Sequence, residues 1–208
     1  MNAQTQRLQL AGAAGVIEVL RDDPPDGAPV RGTAVIAHPH PLFGGSMNNK
    51  VVQTLARAFV QCGWRAVRFN FRGVGASEGT HDDGRGESQD MLDLVAQVVP
   101  HGPLALAGFS FGAFVTAQVV ATLAPLRAIE RLVLVGTAAS RFQVAALPAE
   151  LHERTLVIHG EHDDTVPLAA VMDWARPQIL PVTVVPGGGH YFHGQLPLLK
   201  SLVVRHLC

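Results

Sequence analysis

Residues 104–114 read LALAGFSFGAF. An apolar run too short for a helix leads into Gly108-Phe109-Ser110-Phe111-Gly112, and a helix-forming run, FGAFVTAQVVATLA, leaves it. A strand that turns sharply into a helix on a G-x-S-x-G pentapeptide is the context in which the serine is presented above a parallel sheet. The two glycines are required sterically. At Gly108 and Gly112, strand and helix approach too closely for side chains, while the turn lifts the Ser110 hydroxyl and directs the next N–H, that of Phe111, into the same space. The plain alternative is a glycine-containing βα turn with a capping serine, so the rest of the chain decides between them.

The flanking sequence repeats the same alternation. GTAVIAH (32–38), WRAVRFNF (64–71), IERLVLVG (129–136), RTLVIHG (154–160) and LPVTVVPG (180–187) are short strand-like runs. Helical patterns separate them: residues 48–63, closed by Gly63; residues 86–99, with Ser88 as a candidate cap; and residues 168–177. A final helix over 194–207 is expected to be interrupted early by Pro197. RLQLAGAAGVIEVL, at the start, reads as an antiparallel hairpin turning near residues 12–15. Strands alternating with helices imply an α/β fold with a mostly parallel central sheet and helices on both faces. The 208 residues, 48% hydrophobic and 16% charged, suit a single domain, residues 1–208. No repeat or interior linker divides it.

The net charge of -1 and the absence of a basic cluster argue against a nucleic-acid partner. No apolar run of membrane-spanning length occurs, and MNAQTQRLQL has no signal-like apolar core, so no membrane association is expected. The two cysteines, Cys62 and Cys208, make a poor disulfide framework, and a reducing, cytoplasmic setting is the expectation. Oligomeric state is left open.

In such sheets the working residues gather at the carboxyl ends of strands. Ser110 is at one. A serine hydroxyl needs a base, and the base needs a carboxylate to orient it. Two later strand ends supply both: His159, Glu161, His162, Asp163 and Asp164 after one, His190 and His193 after the next. The order is serine, acid, histidine.

With these pieces assembled, the chain resembles a lidless member of the α/β-hydrolase superfamily. It is similar in particular to small bacterial hydrolases with an HPHPxxGG motif, neighbours of the dienelactone hydrolases. The resemblance rests on AHPHPLFGGSMNNKV, RFNFRGVGASEG, AGFSFGA, IHGEHDDTVPL and GGGHYFHG. It implies Ser110 as nucleophile, Asp163 as the acid in a G-x-x-D-x-x-V-P pattern, and His190 as the base. His193 is the lesser candidate. It implies an oxyanion hole from the N–H of Phe111 and one donor in the loop after the first parallel strand. If His40-Pro41 stands for the family's His-Gly, that donor is Leu42; if His38-Pro39 does, it is His40. Leu42 is preferred because Phe43-Gly44-Gly45-Ser46 then continues the glycine-rich turn, and Pro39 and Pro41 have no N–H. Arg72, in Arg72-Gly73-Val74-Gly75, is read as a structural pairing residue.

The implied activity is that of a carboxylesterase-like serine hydrolase, acting on small or short-acyl esters through an acyl-enzyme, with thioesters and lactones as variants and no cofactor. Residues 137–154 are too few for a cap domain. Two rivals stand beside this reading. One is a metal-dependent hydrolase using His38-x-His40, His159-x-x-His162 or His190-x-x-His193. The other is a non-catalytic binding protein on a hydrolase scaffold.

Overall fold

A computed structural model describes residues 5–208, so the first four residues of the segment inspected for a leader lie outside it. Eight strands form one sheet: β1 (Gln6–Gly12), β2 (Gly15–Asp22), β3 (Gly32–Ala37), β4 (Trp64–Phe69), β5 (Leu104–Phe109), β6 (Arg131–Val135), β7 (Thr155–Gly160) and β8 (Val182–Val185). Their order across the sheet is β1-β2-β4-β3-β5-β6-β7-β8. β1 and β2 form the expected hairpin, and β2 pairs antiparallel with β4; every other pairing is parallel. Five helices cover the sheet: α1 (Lys50–Gln61), α2 (Arg85–Val98), α3 (Phe111–Leu123), α4 (Leu168–Ala175) and α5 (Leu196–Leu207).

The strand pattern divides the core in two. Successive side chains of a strand point to opposite faces. Val35 and Ala37 of β3, and Leu104 and Leu106 of β5, therefore join the core under α2, α3 and α4. Ala34, Ile36, Ala105, Ala107 and Phe109 pack on the other face, under α1 and α5. Both faces are covered, which is why these strands read as continuous apolar runs rather than as alternating ones.

The sheet reverses its direction of growth at β3. The chain moves from β3 to β4 on one side, then crosses to β5 on the other. The loops leaving β3 and β5 diverge there, and the crevice between them is where such a sheet accepts a ligand.

Three local expectations are corrected. Ser88 does not cap α2: Gly84 holds the cap position, and the Glu87 carboxylate accepts from the N–H groups of Gly84 at 2.9 Å and Asp82 at 3.0 Å. A carboxylate reaching back over the first helical turn satisfies donors that a serine hydroxyl would otherwise take. Pro197 does not interrupt the last helix, because α5 begins at Leu196 and the proline falls in its first turn, where the missing N–H has no helical acceptor. Finally, Cys62 and Cys208 are joined by a disulfide, with Cα atoms 5.6 Å apart. They are 146 residues apart in sequence, but α1 and α5 lie side by side on one face and both end at the same corner of the sheet. Sequence separation carries no information about that adjacency.

No helix among the described residues is long and apolar enough to cross a membrane. Closing a loop of this size restricts the unfolded chain strongly. Thiol titration of the unfolded, non-reduced protein should find no free thiol. Reduction should lower unfolding free energy by about 3–5 kcal/mol, read from urea midpoints with and without reductant.

Candidate active site

The turn after β5 holds Ser110 at φ 57 and ψ -117, a backbone conformation that non-glycine residues rarely adopt. Its surroundings enforce it. A Cβ on Gly108 would strike the Gly112 carbonyl, and one on Gly112 would lie 2.5 Å from the carbonyl oxygens of Ala37 and His38. The first turn of α3 thus sits directly against the end of β3. The glycines serve close packing, as the pentapeptide requires.

Ser110, His190 and Asp163 come from three separate strand ends and meet in one hydrogen-bonded line. The Ser110 Oγ is 3.0 Å from His190 Nε2, and His190 Nδ1 is 2.7 Å from Asp163 Oδ2. All three residues are buried. The other carboxylate oxygen, Asp163 Oδ1, accepts from the backbone N–H of Val166 at 2.7 Å and of Thr165 at 3.0 Å. Burial alone pushes the Asp163 carboxyl up, but the bonds from His190 and Val166 outweigh it and hold the group below its ordinary range. An ionised carboxylate therefore faces Nδ1, which fixes the imidazole with Nδ1 as donor and Nε2 as acceptor toward the serine. Such a line can take the serine proton and return it.

Among the described residues the Asp164 carboxylate accepts only from Thr165 Oγ1, at 3.3 Å, and His162 is exposed, its Nε2 3.8 Å from Glu161 Oε2. His193 is exposed, its ring 6.0 Å from that of Tyr191, and among the described residues it is His190 that bonds Ser110 and Asp163. His159 is buried, its Nε2 2.8 Å from the Val166 carbonyl oxygen and 3.4 Å from Asp163 Oδ2. The sequence showed it only as one of several histidines past a strand. Its place as a second imidazole against the acid depends on the turn at 160–166 folding back over it.

The HPHP stretch divides its two histidines between different tasks. His38 is wholly buried. Its Nε2 must accept, because the Phe71 N–H donates to it at 2.9 Å, so Nδ1 carries the proton and donates to the Pro39 carbonyl at 2.6 Å. This neutral ring ties the ends of β3 and β4 together. His40 lies instead in the pocket wall, its ring 4.8 Å from those of Phe43, His81 and Phe111. Arg72, beside the same turn, is held by both carboxylate oxygens of Asp90 at 2.7 and 2.8 Å.

The N–H of Leu42, the preferred second donor, is committed to His40 Nδ1 at 3.2 Å, and Leu42 projects into solvent at 69% exposure. A short 3-10 turn over Pro41–Phe43, capped by His40, consumes that donor. The glycine-rich sequence favoured Leu42 because the turn itself could not be seen. Among the described residues the N–H groups of His40 and Phe111 donate to no protein group, and both residues line the same cleft as Ser110. This cleft has a volume of about 360 Å³ and is walled largely by Phe43, Phe111, Phe142 and Tyr191. Among the described residues no group of three or more His, Cys, Asp or Glu side chains is arranged to hold a metal ion.

The family model described as "Serine aminopeptidase, S33" matches residues 29–149, more than half of the chain. A solved α/β serine hydrolase without a lid, from Xanthomonas campestris, is 36% identical at a TM-score of 0.87, covering 100% of this chain and 95% of that one. The chain belongs to the lidless α/β serine hydrolases. An α/β serine hydrolase homologue from Coxiella burnetii is 38% identical at a TM-score of 0.82, over 98% of this chain and 97% of that one. An uncharacterized protein of Rickettsia prowazekii is 46% identical over 91 residues, a match spanning 42% of this chain and 38% of that protein.

Burial drives the His38 imidazole down to about 4, against an ordinary value near 6.5. Above pH 6.5 the ring is neutral in both folded and unfolded chains, and its contribution to stability is complete. As pH falls from 6.5 toward 4 the unfolded chain gains the proton first, and that contribution is lost, on the order of 3 kcal/mol. Burial displaces His40, His159 and His206 in the same direction, so part of the slope belongs to them. Urea midpoints between pH 4.5 and 7.5 should therefore fall with acid in the wild type. They should fall less steeply in His38→Gln, which starts from a lower midpoint.

Proposed function

We propose that this serine hydrolase is a carboxylesterase of small or short-acyl esters, working through a Ser-His-Asp triad and an acyl-enzyme. The observation that carries the reading is the unbroken line from Asp163 through His190 to a serine held in a strained turn. Ser110 Oγ attacks the ester carbonyl carbon while His190 Nε2 takes its proton. Collapse of the tetrahedral intermediate expels the alcohol, which leaves with that proton. Water then attacks the acyl-enzyme with His190 as base, the acid is released, and the proton returns to Ser110. Asp163 holds the imidazole and stabilises its charged form. No cofactor enters the scheme.

For the oxyanion we assign the N–H groups of Phe111 and His40. This replaces Leu42, whose N–H is already bonded. Residues 137–154 form no cap over the cleft, which supports small substrates reached from open solvent. We keep the cytoplasm as the proposed compartment, although the Cys62–Cys208 disulfide argues for an oxidising one. Recovery of the disulfide-bonded protein from a periplasmic or extracellular fraction would overturn that placement.

Ser110→Ala and His190→Ala should each lower kcat on 4-nitrophenyl acetate by about 10⁴-fold or more. Near-normal turnover in either variant rejects the triad. Activity that survives an organophosphate but not a chelator would favour the metal-dependent alternative, and an inert wild type across several acyl lengths would favour a binding protein.

The oxyanion assignment has its own test. His40 has φ -53, which proline tolerates, and proline has no N–H. His40→Pro should reduce kcat by about 10²–10³-fold, whereas His40→Ala, which retains the N–H, should lose much less. Equal losses would mean that the side chain, not the backbone donor, matters.

A further inference from the structure

The cleft beside Ser110 has a charge that the ester reaction does not use. Its wall is aromatic, and Arg141 is the only lysine, arginine, aspartate or glutamate that lines it. Arg141 is exposed, and its guanidinium forms no salt bridge and no hydrogen bond with any described residue. Its side chain instead lies over the Phe43 ring, 6.0 Å from the centroid. Asp83 borders the adjoining surface with Arg141, but is close to His81 rather than to the arginine. Arg141 contrasts with the other arginines near the sheet ends, since Arg68 and Arg72 are each paired with a buried carboxylate.

The position of Arg141 is fixed by its neighbours. It lies in the short connection between β6 and β7, and its own N–H donates to the Ala138 carbonyl at 3.2 Å. The next residue, Phe142, stacks on Phe114 with centroids 4.6 Å apart. The backbone that carries the guanidinium is therefore anchored to the cleft wall. The charge also reaches inside. Burial, and after it the neighbouring His81, lowers the His40 imidazole from its ordinary value; Arg141 pushes the same way, against the opposing charges of Glu87 and Asp83.

We propose that Arg141 is a specificity residue, and that the substrate is a small ester carrying a carboxylate away from the scissile bond. This rests on the esterase reading above and deepens it. The aromatic wall takes the carbon skeleton, and the planar guanidinium fork takes the carboxylate with two parallel N–H donations. A single arginine with no lysine beside it suits one carboxylate better than a phosphate, whose greater charge calls for more donors. Because the site is solvated, the gain is moderate and is screened by salt.

The test compares matched pairs of esters by proton release at constant pH. Monomethyl glutarate against methyl pentanoate places the carboxylate in the acyl half; 4-acetoxybutanoate against butyl acetate places it in the alcohol half. For one of the two pairs, wild type should favour the charged ester in kcat/KM by about tenfold, less so at high salt. Arg141→Gln should bring that ratio toward one, and Arg141→Lys should keep part of it. If neither pair shows a preference, or if Arg141→Gln leaves the ratio as it was, the assignment is wrong while the esterase reading stands. If the wild type hydrolyses none of the four esters nor 4-nitrophenyl acetate, the esterase reading fails and the Arg141 assignment falls with it.

Discussion

The contact on which the site depends is that between Gly112 and the carbonyl groups of Ala37 and His38. It brings the first turn of α3 against the end of β3, across the point where the sheet changes its direction of growth. One close approach sets three things. It holds Ser110 at its positive φ, brings the loop bearing His40 beside that of Phe111, and leaves the cleft open between them. A methyl group at residue 112 would separate these loops, which no adjustment of side chains elsewhere could reverse. The strain at Ser110 is tolerated because the sheet and helix on either side are buried and cannot relax independently.

The three polar residues are then held by ordinary means. Asp163 takes backbone N–H groups on one oxygen and His190 on the other, so its charge is satisfied before substrate arrives. His159 also lies against it, its Nε2 hydrogen-bonded to the Val166 carbonyl. His38 has no part in this line, yet it secures the strand ends from which the loops depart. Of the histidines that suggested metal ligands in the sequence, His38 is bonded to Phe71 and Pro39, while His159 and His190 both face Asp163.

Much of this was legible in the sequence because it follows from period and order. Strand and helix alternation pointed to the sheet, and a serine, an acid and a histidine past the ends of β5, β7 and β8 pointed to the line through Ser110. What could not be read depends on contacts between distant segments or on the exact course of a loop. The Cys62–Cys208 bridge required knowing that α1 and α5 end at one corner. Leu42 looked suitable as a donor from composition, but the 3-10 turn over Pro41–Phe43 turns its N–H back on His40. Ser88 had the right chemistry for a cap, but Glu87 reached the free donors. Arg141 carried no motif, and only its place in the cleft wall distinguishes it from a solvated surface arginine.

The short connection over residues 137–154 has a kinetic meaning as well as a spatial one. Enzymes covered by a lid pass through opening and closing steps that often limit turnover. Here no such segment exists among the described residues, and the aromatic rim at Phe43 and Tyr191 is already open to solvent. Ser110 is reached through the same open cleft that Phe43 and Tyr191 border. With no lid segment among the described residues, the wall of the cleft is the part of the fold placed to discriminate between substrates.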